Sequence, residues 1–128
     1  MIMERLKNRI VLIVDDDERN TFALSSYLEM LDMKIAVAKN GEEAISVLQN
    51  DTKPDIILLD MMMPVMDGYE TLAVLKQDTY LKQIPVIAVT ARAMKGDREK
   101  CIEAGAWDYI SKPIDLSALV YKLIKWII

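Results

Sequence analysis

Ile10-Val11-Leu12-Ile13-Val14-Asp15-Asp16-Asp17 is an unbroken aliphatic run that ends in three carboxylates. A short apolar run without polar alternation reads as a strand buried on both faces, the habit of parallel sheets covered by helices. Similar runs recur at Lys34–Ala38, Ile56–Leu59, Pro85–Val89 and, shorter, Trp107–Ser111. Helical spacing fills the gaps between them. Leu24, Leu28 and Leu31 share one face, as do Ala44, Val47 and Leu48, and then Tyr69, Leu72 and Leu75. A fourth helix is expected from about Ala93 to Ala104, closed by Gly105. A fifth runs from Asp115, its expected N-cap, to Ile127, with Leu116, Leu119, Val120, Leu123, Ile124 and Ile127 as its stripe. Strands alternating with helices in this way predict an α/β fold, a doubly wound parallel sheet with helices on both faces. Ligands of such sheets bind outside the carboxyl ends of the strands.

The chain has 128 residues, enough for one compact domain spanning 1–128, and no internal repeat, linker or low-complexity stretch divides it. The net charge is −4 and the cations are scattered, which argues against direct nucleic-acid binding. Cys101 is the only cysteine, so no intrachain disulfide can form and a reducing compartment suits the chain. Met1-Ile2-Met3-Glu4-Arg5-Leu6-Lys7 is too charged for a secretory segment. No apolar run approaches the roughly 20 residues that would span a membrane, so a cytoplasmic, soluble domain is expected. The absence of histidine excludes an imidazole base, a zinc–histidine site and a phosphohistidine within this chain.

Four of the five strand ends carry polar chemistry. Asp15, Asp16 and Asp17 follow the first, Asp60 the third, Thr90 the fourth and Lys112 the fifth. A parallel sheet brings these ends to one edge. Crowded carboxylates raise one another's pKa, and a hard divalent cation such as Mg²⁺ relieves the conflict. A carboxylate can also attack phosphorus to form an aspartyl-phosphate, a transfer that needs alignment and charge neutralisation. Lys112 and Thr90 suit phosphoryl oxygens as a point charge and a hydroxyl donor. The plainer reading makes each acid a helix cap, and Asp17, ahead of a helix at Glu18, is expected to be one.

The sequence closely resembles the response-regulator receiver domains of two-component signalling, from Ile10 to Ile127. The matching pieces are the opening run through Asp17, then Leu58-Leu59-Asp60-Met61-Met62-Met63-Pro64 with Met66-Asp67-Gly68, Val89-Thr90-Ala91, and Tyr109-Ile110-Ser111-Lys112-Pro113. The resemblance implies a flavodoxin-like sheet of five strands in the order 2-1-3-4-5 with five helices. It implies that Asp60 is the phosphoacceptor and that Mg²⁺ or Mn²⁺ sits on Asp16 and Asp60. Asp15 would act mostly through water, and the Met62 backbone carbonyl would add a ligand. Thr90, Lys112 and the Ala91 N–H would contact the phosphoryl group, the Lys112–Pro113 bond would be cis, and Tyr109 would move inward with Thr90. A histidine kinase or phosphotransfer protein would donate the phosphoryl group. The face of helix four, strand five and helix five would then change its affinity for an output partner or a second copy. Such a chain is a signalling switch rather than an enzyme acting on a metabolite.

Met62 and Arg92 stand where the family tunes phosphoryl lifetime, and their bulk predicts a long-lived state. The stretch from Ala93 to Cys101 resembles receivers of hybrid histidine kinases, which leaves an excised domain and a standalone regulator both open. A haloacid dehalogenase-type phosphohydrolase, with Asp15 as nucleophile and Asp17 as acid–base, is the enzyme alternative, but it leaves Asp60 and Lys112-Pro113 without a role. A purely structural interaction domain is the third. The methionines at 61, 62, 63 and 66 read as packing rather than a copper(I) site, and Cys101 as a buried helix residue. Trp107 and Trp126 read equally as packing or as interface anchors.

Overall fold

The computed structural model describes residues 2–50, 53–91 and 95–127. Five strands, β1 (Ile10–Val14), β2 (Lys34–Ala38), β3 (Ile56–Asp60), β4 (Val86–Thr90) and β5 (Asp108–Ser111), form one sheet in the order β2-β1-β3-β4-β5. Every neighbouring pair is parallel. Five helices alternate with them: α1 (Glu18–Glu29), α2 (Gly41–Gln49), α3 (Gly68–Gln77), α4 (Asp97–Ala104) and α5 (Leu116–Trp126). Short 3-10 turns lie at Ile2–Leu6 and Leu81–Gln83. The expected doubly wound sheet and its strand order are what the chain adopts.

Side chains of a strand point alternately to its two faces, so the uniform aliphatic runs feed two cores. Val11, Ile13, Leu58 and Ile87 pack with Leu24 and Leu28 of α1 and with Leu119, Val120 and Leu123 of α5. Leu12, Val14, Leu59 and Ala88 pack on the other face with Ala44 and Leu48 of α2, Leu72 and Leu75 of α3, and Cys101 of α4. Cys101 is fully buried, as packing requires.

The strand boundaries move slightly from those read in the sequence, and for a physical reason. Pro85 has no N–H to give a ladder, so β4 opens at Val86, although the Pro85 carbonyl still accepts from the Ile57 N–H at 2.9 Å. At the other end Asp60 pairs with Val89, and Thr90 pairs with Ser111. Asp60 and Thr90 therefore belong to the strands rather than to the loops after them. β5 begins at Asp108, one residue later than expected.

Helix starts follow their caps. Asp17 accepts from the N–H groups of Arg19 and Asn20, Asn40 from Glu43, and Asp115 from Ser117 and Ala118. Asp67 and Glu70 form a reciprocal capping box on α3. α4 starts at Asp97, later than the expected 93, after Gly96 at φ 94°, a conformation no helix interior accepts. Residues 92–94, including the expected first turn, lie outside the described residues. Gly105 does close α4 at positive φ. Three expected core positions are corrected. Leu31 lies beyond α1 and is half-buried, Tyr69 faces outward while Thr71 takes the buried place, and Leu116 is exposed in the first turn of α5.

At the amino end of β5, Asp108 is buried and fully engaged. It accepts from Trp126 Nε1 at 2.8 Å, Lys122 Nζ at 2.9 Å and the Tyr109 N–H at 2.8 Å. Trp126 meets Trp107 edge-on, with ring centroids 5.6 Å apart. The Trp126 indole thus fastens α5 to β5, while Trp107 packs on its edge and stays 39% exposed. Burial alone would raise the Asp108 pKa, but the Trp126 and Lys122 donors outweigh it and hold the carboxyl below its usual value. A depressed pKa gives stability that is present above the ordinary carboxylate value and lost as pH falls through the folded one. Asp108→Asn should therefore lose about 2 kcal/mol of unfolding free energy at pH 7. The gap should narrow as urea titrations are repeated toward pH 3, the acid end of the carboxylate range.

Candidate functional site

The level carboxyl ends of β1, β3, β4 and β5 set the site. Asp15 directly follows β1, and its N–H continues the ladder to the Ala38 carbonyl at 3.0 Å. Lys112 directly follows β5, and its N–H donates to the Thr90 carbonyl at 2.7 Å. Four backbone positions are thus fixed by sheet hydrogen bonds rather than by mobile loops. The Lys112–Pro113 bond is cis, as the resemblance implied.

Asp15 and Asp60 are buried while Asp16 is exposed, and one carboxylate oxygen from each lies within 4.8 Å of the others. Lys112 reaches both buried acids, with Nζ 3.3 Å from Asp60 Oδ2 and 3.4 Å from Asp15 Oδ2. The contact with Asp60 has hydrogen-bond geometry, and that with Asp15 is an ion pair. The other Asp60 oxygen accepts from the Met62 N–H at 3.0 Å. Asp15 is held from the α1 side: Oδ1 accepts from the Asp17 N–H at 2.9 Å and Oδ2 from Asn20 Nδ2 at 2.6 Å. Thr90 is buried at the end of β4, and Ala91 follows it at the surface.

One ammonium shared by two buried carboxylates leaves negative charge over. Burial pushes the Asp60 pKa up and Asp15 adds to it, while the Met62 N–H and Lys112 pull it back only in part. Burial acting alone would lower the Lys112 pKa, but the attraction of Asp60 and Asp15 outweighs it and the value rises. The donor set is all oxygen and carries excess negative charge, a combination that fits a hard divalent cation.

The expected residues therefore meet as read: Asp15, Asp16, Asp60, Thr90 and Lys112 share one edge. Asp17 does not join them, since its carboxylate caps α1 and is exposed. Tyr109 is half-buried on β5, and the Met62 side chain is 70% exposed. Met61 and Met63 are buried in or against the core, which accounts for them as packing. Arg92 lies outside the described residues. Asn20 is the participant that sequence reasoning missed, because an asparagine in the first turn of a helix is indistinguishable from an ordinary one. An open cleft of about 370 Å³ runs beside Lys112, lined by Asp17, Asn20, Leu24, Pro113, Ile114 and Leu116.

The chain belongs to the response regulator receiver domain family, which it matches over residues 11–124. It is a receiver domain of two-component signalling, a class that works as signalling switches. It is 41% identical over 110 residues to the polar-differentiation response regulator DivK of Brucella anthropi, covering 86% of this chain and 89% of DivK. It is 42% identical over 105 residues to the response regulator PleD of Caulobacter vibrioides, covering 82% of this chain but only 23% of PleD. Among solved structures, the receiver domain of sensor histidine kinase PA1611 from Pseudomonas aeruginosa, with magnesium coordinated in its active site cleft, superposes with TM-score 0.85. That likeness has 32% identity and covers 94% of this chain and 98% of the other. The receiver domain of Ssk1 from Saccharomyces cerevisiae, crystallised with the histidine phosphotransfer protein Ypd1, gives TM-score 0.85 at 28% identity, over 94% and 90% of the two chains.

A carboxyl whose folded pKa is raised binds a proton more readily in the folded protein, so stability falls as pH rises through the interval above the ordinary value. In metal-free buffer, Asp60→Asn should consequently unfold at a higher temperature than the native chain at pH 7. The difference should close as thermal scans move toward pH 4, near the ordinary Asp value.

Proposed function

We propose that this chain accepts a phosphoryl group on Asp60 from a phosphohistidine of a histidine kinase or phosphotransfer protein. The observation that carries the reading is the buried Asp60 carboxylate, its Oδ2 3.3 Å from Lys112 Nζ, with two further carboxylates gathered around it. Mg²⁺ or Mn²⁺ would be held by Asp16, Asp60 and the Met62 backbone carbonyl, with Asp15 acting through water. When bound, the cation supplies charge neutralisation to the phosphoryl oxygens.

The protein's own groups do the rest. An Asp60 oxygen attacks phosphorus; the O–P bond forms as the N–P bond to the donor imidazole breaks, and the electron pair leaves on the imidazole nitrogen. The Lys112 ammonium follows the negative charge from the carboxylate to a phosphoryl oxygen. The Thr90 hydroxyl and the Ala91 N–H donate to the remaining oxygens. Hydrolysis of the acyl phosphate returns the switch to its start, so the chain catalyses only its own phosphorylation and dephosphorylation.

The output follows from the same residues. Thr90 moving toward the phosphoryl group leaves room for half-buried Tyr109 to turn inward. The face of α4, β5 and α5 then presents a different surface to an output partner or a second copy, a two-state element biased by local charge. Tyr121 on α5 is 70% exposed and available to such a partner. The reading takes residues 1–128 as one receiver unit in a cytoplasmic phosphorelay, with no direct contact to nucleic acid. No helix among the described residues is long and apolar enough to cross a membrane.

Intact-mass measurement after incubation with Mg²⁺ and acetyl phosphate tests the proposal. One added phosphoryl group is expected, lost in Asp60→Asn and with EDTA, and formed about a hundredfold more slowly in Lys112→Ala. An unlabelled native chain, or equal labelling of Asp60→Asn, contradicts it.

A further inference from the structure

Asn20 occupies the third position of α1, set there by the Asp17 cap, which accepts from the Arg19 and Asn20 N–H groups at 3.0 and 3.4 Å. Its side chain does not face solvent but turns into the acidic cluster, where Nδ2 lies 2.6 Å from Asp15 Oδ2. A carboxylate can only accept, so the amide must present its NH₂. This contact is shorter than any that Lys112 makes with either acid.

The consequence lies in how Lys112 divides itself. Two buried carboxylates compete for one ammonium, and the two distances differ by little, 3.3 Å to Asp60 and 3.4 Å to Asp15. Both oxygens of Asp15 already have a donor, from the Asp17 N–H and from Asn20, while Oδ2 of Asp60 takes Lys112 as a donor. The hydrogen-bond geometry of Lys112 goes to Asp60 accordingly. A neutral donor on Asp15 satisfies that acid without cancelling its charge. The charge stays available to a cation, and Lys112 stays available to the phosphoacceptor.

We propose that Asn20 is a positioning residue for phosphoryl transfer: it occupies Asp15 Oδ2, keeps the Lys112 ammonium on the Asp60 side, and keeps Asp15 oriented toward the cation position. This rests on the phosphoacceptor reading above, and the experiment separates the two. Without the amide, Lys112 is drawn onto Asp15, neutralises it and withdraws from Asp60.

The test compares the full chain with Asn20→Leu, which keeps the bulk and removes the donor, and with Asn20→Ala in case leucine does not fold. Calorimetric titration with Mg²⁺ alone should give a dissociation constant about tenfold weaker in either variant, the effect typical of a lost outer-shell partner. Labelling by acetyl phosphate at saturating Mg²⁺ should also slow by about tenfold. Both effects should largely vanish when Asn20→Leu is made in an Asp15→Asn background, since a residue acting through Asp15 has nothing left to position. Native Mg²⁺ affinity and native labelling rate in the Asn20 variants overturn the inference, as does an unchanged loss in the Asp15→Asn background. Failure of the native chain itself to label at Asp60 rejects the phosphoacceptor reading, whatever Asn20 does to Mg²⁺ binding.

Discussion

A single ammonium, Lys112, faces two buried carboxylates, Asp15 and Asp60, at 3.4 and 3.3 Å. This unequal count of charges is the constraint on which the rest of the molecule depends. Burying an acid without full compensation is unfavourable, and here it raises the pKa of Asp60. The fold tolerates it because the carboxylates stand on the rigid ends of paired strands, over two well-filled aliphatic layers. The site is therefore built under tension that a divalent cation or a transferred phosphoryl group can change. A protein whose local charge balance is unsettled in this way can be switched by chemistry at one residue.

In the proposed switch, the sheet would carry that local event outward. Lys112 follows β5, and β5 is fastened at its other end by Asp108 to Lys122 and Trp126 of α5. A strand held at one end and charged at the other is a stiff connection between the acidic site and the last helix. The two tryptophans of the chain meet in that fastening, so indole emission reports on the end of β5 remote from Asp60.

Much of this was legible in the sequence, because the informative features are short-range. The aliphatic runs fix strands buried on two sides, and the polar residue after each one marks the working edge. Asp15, Asp60, Thr90 and Lys112 could be grouped before any coordinates, since parallel strands put all their carboxyl ends together. Asp17 was readable as a cap from its place ahead of Glu18. What stayed hidden depends on pairing across the chain. That β3 and β4 extend through Asp60 and Thr90 follows from the register with Val89 and Ser111, which no local pattern encodes. Gly96 delays α4 through its positive φ, whereas composition alone suggested an earlier start. Asn20 and Asp108 looked like ordinary polar residues until the fold placed a buried acid beside one and an indole and an ammonium beside the other.

The unrelieved negative charge at the sheet edge is tested most directly by thermal unfolding across a Mg²⁺ titration, with Ca²⁺-free buffers and constant ionic strength. A ligand that binds only the folded chain stabilises it in proportion to the logarithm of its concentration above Kd. The account predicts a midpoint that climbs with Mg²⁺ in the native chain and stays flat in Asp60→Asn. An unchanging native midpoint, or an equal climb in Asp60→Asn, would contradict it.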